Sequence, residues 1–94
     1  MRSAVVVDVV RTASGRGKPG GALSRVHPVD LLATVIGALV ERSGIDPALV
    51  DDVIAGCVTQ SRDQAANVAR NGLLAAGLPV MVPGTTVDRQ CGSS

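Results

Sequence analysis

The hydrophobic and polar positions of this chain fall into strand-length and helix-length patterns. Residues 4–10 (AVVVDVV) form a nearly continuous run of β-branched residues. Such a run is typical of a strand that is covered on both faces, as in a parallel sheet. Two further runs, at Asp51–Thr59 and Gly84–Gln90, also have strand character. The pattern therefore predicts three strands.

Two helices are predicted between these strands. The first covers His27–Gly44, where Pro28 suits the first helical position and Gly44 suits a left-handed C-terminal cap. Its apolar residues extend around most of the circumference, so we expect a buried helix. The second helix is predicted at Gln64–Gly77. The resulting β-α-β-α-β order predicts an α/β fold with a parallel sheet.

The composition narrows the class of protein. The chain has 94 residues, a formal net charge of +1 and 46% hydrophobic residues, but no Phe, Tyr or Trp. A core without aromatic side chains is thin for a chain of this size, so we expect the chain to pack against more protein. The dispersed charges do not indicate nucleic-acid binding. The longest apolar segment, Val29–Val40, is too short for a membrane span, and no signal peptide is recognised, which predicts a cytoplasmic protein.

A glycine-rich loop follows the first predicted strand. Gly15, Gly17 and Gly20 spell G-x-G-x-x-G, the fingerprint of dinucleotide binding. That fingerprint requires a helix directly after the glycines, whereas Pro19 lies inside the motif and the next helix starts no earlier than Pro28. We therefore interpret the loop as a solvated or interface loop. The same interpretation applies to its basic residues, Arg11, Arg16, Lys18 and Arg25.

The two cysteines and the one histidine do not form a metal-binding pattern. Cys57 and Cys91 lie far apart, with no C-x-x-C pair and no histidine at ligand spacing, so no metal site is predicted. Cys57 lies in the apolar part of the second predicted strand and is interpreted as a small buried hydrophobic residue. His27 stands beside a proline at the start of a helix, where a structural role is expected.

Cys91 occupies a different kind of position, directly after the third predicted strand. Functional groups of α/β sheets gather beyond the carboxyl ends of the strands. The small residues Gly92, Ser93 and Ser94 are suited to open a tightly packed helix. A thiol at a helix N-terminus is favoured as the reactive thiolate, and nearby amide groups can face an oxyanion. Acyl transfer through a thioester is one interpretation, and a buried structural cysteine is the other.

Three blocks of the chain resemble the N-terminal part of thiolases, namely residues 6–33, 44–58 and 67–94. The most specific stretch is VPGTTVDRQCGSS at residues 82–94. The resemblance implies that Cys91 is the nucleophile and that the substrates are CoA and acyl-CoA thioesters, with no permanently bound cofactor. The activating histidine, the second catalytic cysteine and the asparagine-histidine pair of thiolases belong to later segments. His27 and Cys57 match other positions.

The resemblance also implies what the chain is part of. Residues 1–94 correspond to the first part of the thiolase N-terminal domain, so we expect a companion chain or a continuation to supply the rest of the subunit. The isolated chain is expected to be inactive. A homodimer or tetramer is expected, with Thr85–Gln90 at a dimer interface. Two positions differ from many thiolases, which have glycine instead of Ser94 and often asparagine instead of Asp88. The VDRQCGSS stretch resembles thiolases that act on bulkier acyl or steroid-side-chain substrates.

Two other functions remain open at this point. A decarboxylating ketoacyl synthase also places a cysteine at such a turn, and it carries two histidines in place of the second catalytic cysteine. A catalytically silent thiolase-like subunit would act as a scaffold, although the presence of Cys91 argues against it. The residues that separate these alternatives lie outside the 94 residues of the chain.

Overall fold

The computed structural model describes residues 2–93, which form two α-helices and a two-stranded sheet. In chain order the elements are α1 (Pro28–Ser43), β1 (Val53–Gly56), α2 (Val68–Ala75) and β2 (Gly84–Val87). Short 3₁₀ turns occur at Pro47–Leu49, Arg62–Gln64 and Gln90–Gly92. The predicted contribution of Ser94 to packing lies outside the described residues.

Strands β1 and β2 pair in parallel. Val53 lies opposite Gly84, and Gly56 lies opposite Val87. The ladder continues past β1, where the Cys57 N–H donates to the carbonyl of Val87 at 2.9 Å. The helix α2 connects the two strands, as a parallel pair requires a crossover. The predicted α/β class with a parallel sheet is confirmed.

Helix α1 begins and ends where the sequence predicts. The ring Nδ1 of His27 accepts a hydrogen bond from the Val29 N–H at 3.1 Å and so caps the helix N-terminus. At the other end Gly44 has φ 67°, a left-handed conformation that glycine adopts without steric cost. The structural role predicted for His27 is confirmed.

The burial predicted for α1 is wrong. Within the helix only Ile36 is buried, at 8% exposure, and most other residues are half-buried. One face of α1 packs against α2, with Gly72 so close to Leu32 that a Cβ on the glycine would lie 2.6 Å from a Leu32 methyl carbon. Most residues on the other faces of the helix are half-buried, so α1 is partly covered there although its apolar pattern is suited to burial all round.

The strand predicted at residues 4–10 is not formed, and this prediction is corrected here. Residues 2–17 have no regular secondary structure. The exposed fractions of Val5, Val6, Val7 and Val9 are 75–83%. A continuous β-branched run becomes a strand when it has both a hydrogen-bonding neighbour and cover on its two faces. Residues 2–93 provide neither at this segment.

Helix α2 is shorter than predicted. The prediction places it at Gln64–Gly77, whereas the helix starts at Val68. Ala66 and Asn67 have φ 59° and 63°, so the backbone is left-handed just before the helix and cannot be continuous with it. Gly77 has φ 85° and ends the element as predicted.

The core is small and lies between the helices and the sheet. Its buried cluster contains one residue of α1, one of α2 and two of the connection to β2: Ile36, Leu73, Leu78 and Val82. Leu73 is completely buried. The side chain of Arg70 donates to the carbonyls of Val80 and Val82, at 2.8 and 2.6 Å, and thereby holds the chain that enters β2.

Candidate active site

The chain turns sharply after β2, and Cys91 lies on that turn. The carboxylate of Asp88 accepts a hydrogen bond from the Gln90 N–H at 2.9 Å, which is the geometry of an Asx turn. Gln90 itself has φ 50°. The predicted strand to Gln90 is therefore too long: β2 ends at Val87, because the turn at Asp88 bends the backbone out of the sheet.

Ser93 closes this turn from the other side. Its hydroxyl accepts from the Arg89 N–H at 2.7 Å and donates to the carbonyl of Gln90 at 3.0 Å. The Ser93 N–H donates to the same carbonyl at 3.2 Å. Together with Asp88, these bonds fix the backbone on both sides of Cys91. We call residues 88–93 the nucleophile turn.

The thiol of Cys91 is free and exposed. It lies in the middle of the 3₁₀ turn Gln90–Gly92. Exposure excludes the interpretation of Cys91 as a buried structural cysteine in this structure, and it is what a thiol nucleophile requires. The longer helix predicted after Gly92 lies beyond the described residues, apart from this single turn.

Cys57 is not the buried residue that the sequence predicts. It is half-buried at the carboxyl end of β1. Its Sγ accepts a long hydrogen bond from the Gln64 amide at 3.5 Å, and the same amide donates to the carbonyl of Thr59 at 2.7 Å. These contacts hold the loop after β1 together. They give Cys57 a local structural role at the same edge of the sheet as the nucleophile turn.

Gly56, at the end of β1, packs closely against the backbone of Ser93 in the nucleophile turn. The sequence analysis did not predict this contact. The Ser93 carbonyl occupies the space that a Cβ on Gly56 would need, and the Ser93 Cβ would be 3.0 Å from it. A glycine inside a strand often marks such a close backbone approach. The isolated glycine in the VIAG strand was therefore a signal that could have identified this contact.

Asn67 braces the sheet against α2. Its Oδ1 accepts from the Arg70 N–H at 3.2 Å and from the Thr86 hydroxyl at 2.7 Å. Its Nδ2 donates to the carbonyl of Gly84 at 2.8 Å. One side chain thus caps α2 and bonds to both the backbone and a side chain of β2, the strand that leads to Cys91.

His27 is engaged away from this chemistry. Its Nδ1 caps α1, and its Nε2 lies 3.9 Å from a carboxylate oxygen of Asp63. It is the only histidine of the 94 residues. The chain therefore carries the candidate nucleophile, while the histidine that would activate it is expected from further protein.

Residues 2–93 lack the features required for a metal site, a membrane-spanning helix or a dinucleotide-binding loop. Residues 2–93 contain no group of three or more His, Cys, Asp or Glu side chains that could hold a metal ion. Over the same residues, neither helix is long and apolar enough to cross a membrane. In the glycine-rich loop the Gly21 N–H closes a turn with the Lys18 carbonyl at 2.8 Å, and the next helix starts only at Pro28.

Comparison with known proteins identifies the family. The family model described as "Thiolase, N-terminal domain" matches residues 4–94. The chain therefore belongs to the thiolase family, of which it contains the N-terminal portion.

Several individual relatives match over the whole chain. The chain is 61% identical over 94 residues to the steroid 3-ketoacyl-CoA thiolase FadA6 of Mycobacterium tuberculosis, covering 100% of this chain and 23% of the relative. It is 47% identical over 95 residues to a 3-ketoacyl-CoA thiolase of Erwinia tasmaniensis, covering 100% of this chain and 24% of that one. The chain thus spans about a quarter of the length of these relatives.

A solved structure agrees with this assignment. The crystal structure of the Bacillus anthracis acetyl-CoA acetyltransferase matches with a TM-score of 0.72 and 49% sequence identity. The match covers 79% of this chain and 18% of that chain. The predicted thiolase-like fold class is thereby confirmed.

Proposed function

We propose that this chain, together with the rest of a thiolase subunit, transfers acyl groups between CoA thioesters through a covalent acyl-cysteine on Cys91. The observation that carries the proposal is the position of Cys91, exposed on a fixed turn directly after β2. The thiolase relatives support the CoA thioester substrate class. The isolated 94-residue chain is inactive in this proposal, because its one histidine caps α1.

The reaction proceeds in two steps. The Cys91 thiolate bonds to the ketone carbon of a 3-ketoacyl-CoA, and the bond between that carbon and the neighbouring CH₂ breaks. The electron pair stays on the departing carbon, which takes a proton from an acid supplied by the rest of the subunit and leaves as acetyl-CoA. A second CoA thiol gives its proton to the conjugate base of that acid, attacks the acyl-cysteine and releases acyl-CoA, while Cys91 returns to the thiolate. The reverse sequence joins two acyl groups by Claisen condensation.

The substrate is proposed to be a 3-ketoacyl-CoA with a bulky acyl part. The support is the greater identity to the steroid 3-ketoacyl-CoA thiolase, 61% against 47% for the Erwinia tasmaniensis relative. A comparison of kcat/KM for a steroid-side-chain 3-ketoacyl-CoA and for acetoacetyl-CoA tests this point. A preference for acetoacetyl-CoA would contradict it.

The subunit is proposed to dimerise through the outer edge of β2. Within residues 2–93 this edge has no strand partner, since β2 pairs with β1 on its other side. Thr85 is exposed there. Sedimentation velocity of the purified protein should show a dimer or tetramer, and a monomer at micromolar concentration would contradict the proposal.

The test of the chemistry is covalent trapping on the purified protein. Denaturing mass spectrometry first establishes which chains are present, and in particular whether one of them carries the missing catalytic residues. The protein is then mixed with a 3-ketoacyl-CoA without free CoA. Peptide mass spectrometry should find the acyl group on Cys91 and not on Cys57.

Matched cysteine variants complete the test. Cys91→Ala should lower turnover by at least about 1,000-fold, as expected when a covalent nucleophile is removed. Cys57→Ala should stay within about threefold of the wild type, since its contacts are local. Equal activity of Cys91→Ala and the wild type would refute the acyl-cysteine. A protein with two further active-site histidines that decarboxylates its substrate would instead support a ketoacyl synthase.

A further inference from the structure

We infer that Gly56 and Ser93 are positioning residues for Cys91. The backbone of the nucleophile turn packs directly against Gly56 at Ser93, and we call this contact the seat. The inference rests on the proposed role of Cys91. Neither Gly56 nor Ser93 takes part in the bonds that form and break. Both act by fixing where the thiol stands relative to the sheet.

The first observation is the absence of space at Gly56. The carbonyl oxygen and carbon of Ser93 lie where a Cβ would have to be, and the Ser93 Cβ would approach to 3.0 Å. Real Cβ atoms do not tolerate such distances to backbone atoms, which cannot swing aside as a long side chain can. Any residue larger than glycine at position 56 must therefore move the nucleophile turn or bend β1.

The second observation is that β1 is a rigid support at this point. Gly56 pairs with Val87, and the Cys57 N–H donates to the Val87 carbonyl at 2.9 Å. The carboxyl ends of β1 and β2 are therefore locked together beside Gly56. Because β1 is held in this way, an added side chain is expected to displace the turn rather than the strand.

The third observation is that hydrogen bonds of the Ser93 hydroxyl fix the backbone of the turn that carries Cys91. Its hydroxyl bonds to the Arg89 N–H and to the Gln90 carbonyl, at 2.7 and 3.0 Å. Gln90 has φ 50°, a conformation that a non-glycine residue keeps only when its surroundings impose it. Ser93, which follows the thiol in the chain, thus holds Arg89 and Gln90, which precede it, while its own backbone packs against Gly56.

Three glycines of the chain allow a controlled experiment. The nearest atoms to a Cβ on Gly56 are backbone atoms of Ser93, and those to a Cβ on Gly72 belong to the side chain of Leu32, whereas a Cβ on Gly37 meets nothing within 4 Å. The same substitution, Gly→Ala, at the three sites therefore separates displacement of the turn from overpacking between helices and from the general effect of alanine. The measurements are made on the purified protein with its full set of chains.

The expected results differ among the three variants. Gly56→Ala should lower kcat about 10- to 100-fold with KM within about twofold, as expected for a displacement of the reacting group by about 1 Å. Gly72→Ala should lower the melting temperature but keep kcat per folded molecule within about twofold. Gly37→Ala should keep kcat unchanged and leave the melting temperature equal or higher. An unchanged kcat in folded Gly56→Ala would overturn the inference.

A readout without turnover separates this inference from the proposed function. The rate of alkylation of Cys91 by iodoacetamide, followed by peptide mass spectrometry, should change at least about threefold in Gly56→Ala and not in Gly37→Ala. If Cys91→Ala is as active as the wild type, the proposed function fails, yet the alkylation rate still reports on the seat. If the wild type depends on Cys91 but Gly56→Ala alters neither kcat nor alkylation, only the inference fails.

Ser93→Ala provides the second variant in case Gly56→Ala does not fold. It removes the hydroxyl that closes the turn and adds no atom against β1. We expect kcat to fall about three- to tenfold with KM unchanged, since two hydrogen bonds beside the thiol are lost. An unchanged kcat and an unchanged alkylation rate in Ser93→Ala would then overturn the inference.

Discussion

Residues 4–10 and strand β1 are both short runs of aliphatic residues, but only β1 is a strand in this structure. Strand β1 pairs with β2, and its Val53 packs against the buried cluster. Residues 4–10 lack a strand partner within the described chain, and Val6 is 83% exposed. The difference shows that β-branched residues make a segment suitable for a sheet. Whether a strand forms depends on a hydrogen-bonded partner strand and on elements that cover its faces.

Side chains of α2 and of its N-cap residue Asn67 stabilise the sheet of β1 and β2, although the sheet has only two strands. Two-stranded sheets are marginal on their own and need packing against another element. Here Asn67 and Arg70 tie α2 to β2 and to the chain that leads into it. Within residues 2–93, the comparable link of residues 4–10 is the ion pair between Asp8 and Arg42 at 3.2 Å.

The largest expected effect comes from truncating one apolar residue in the core beside β1 and one in residues 4–10. Leu73→Ala should lower the free energy of unfolding by about 2–5 kcal/mol, because Leu73 is completely buried. Val6→Ala should change it by less than about 0.5 kcal/mol, because Val6 is 83% exposed. Urea denaturation of the purified protein measures both. A cost of more than about 1 kcal/mol for Val6→Ala would break the comparison, since it would mean that further protein covers this segment.

An intermediate effect is expected from the brace between α2 and β2. Asn67→Ala should destabilise this region by about 1–2 kcal/mol, because it removes the cap of α2 and the bonds to Gly84 and Thr86. Hydrogen exchange of the peptide that contains β2 should become faster by about 5- to 30-fold.

Asn67→Gly is the matched control for the brace. It removes the same hydrogen bonds but accepts the left-handed conformation, φ 63°, without strain. It should therefore exchange faster than the wild type but more slowly than Asn67→Ala. Exchange in Asn67→Gly at the wild-type rate would show that conformation alone, and not hydrogen bonding, explains the role of Asn67.

The smallest effect is expected at the link of the N-terminal segment. Asp8→Asn removes the ion pair with Arg42; the Arg42 side chain is 59% exposed, and that of Asp8 is 22% exposed. An ion pair with one well-exposed partner contributes little, so the melting temperature should fall by less than about 3 °C, and the difference should shrink as salt rises. A larger, salt-independent fall would show that the partly buried carboxylate of Asp8 stabilises the fold by more than this ion pair.

These contrasts also indicate which features can be predicted from a sequence. The bounds of α1 were predictable because Pro28 and Gly44 act locally, at the helix ends themselves. The position of Cys91 after a strand was predictable for the same reason. The conformation of Gln90 was not, since it depends on hydrogen bonds with Asp88 and Ser93, as donor to the first and acceptor from the second, that form only once the chain has turned.

Burial was the property that sequence pattern predicted least well. Helix α1 and Cys57 both have the apolar surroundings of buried elements, yet both are partly exposed. Periodicity records how much of an element is suited to burial, whereas exposure depends on what lies against it. The contact at Gly56 was predictable in part. The glycine in the strand can be recognised in the sequence. Its partner Ser93 cannot, because α2 and β2 separate the two residues along the chain.

The exposed valines of residues 5–9 have a further consequence, for the behaviour of the chain during synthesis and purification. Four aliphatic side chains with high β propensity are exposed to solvent, and within the described residues the two-stranded sheet has unpaired outer edges. Such a segment is a template for pairing between chains and hence for aggregation. Asp8 is the only charge inside the run and acts as its gatekeeper, because pairing in register with a second copy would place two carboxylates side by side.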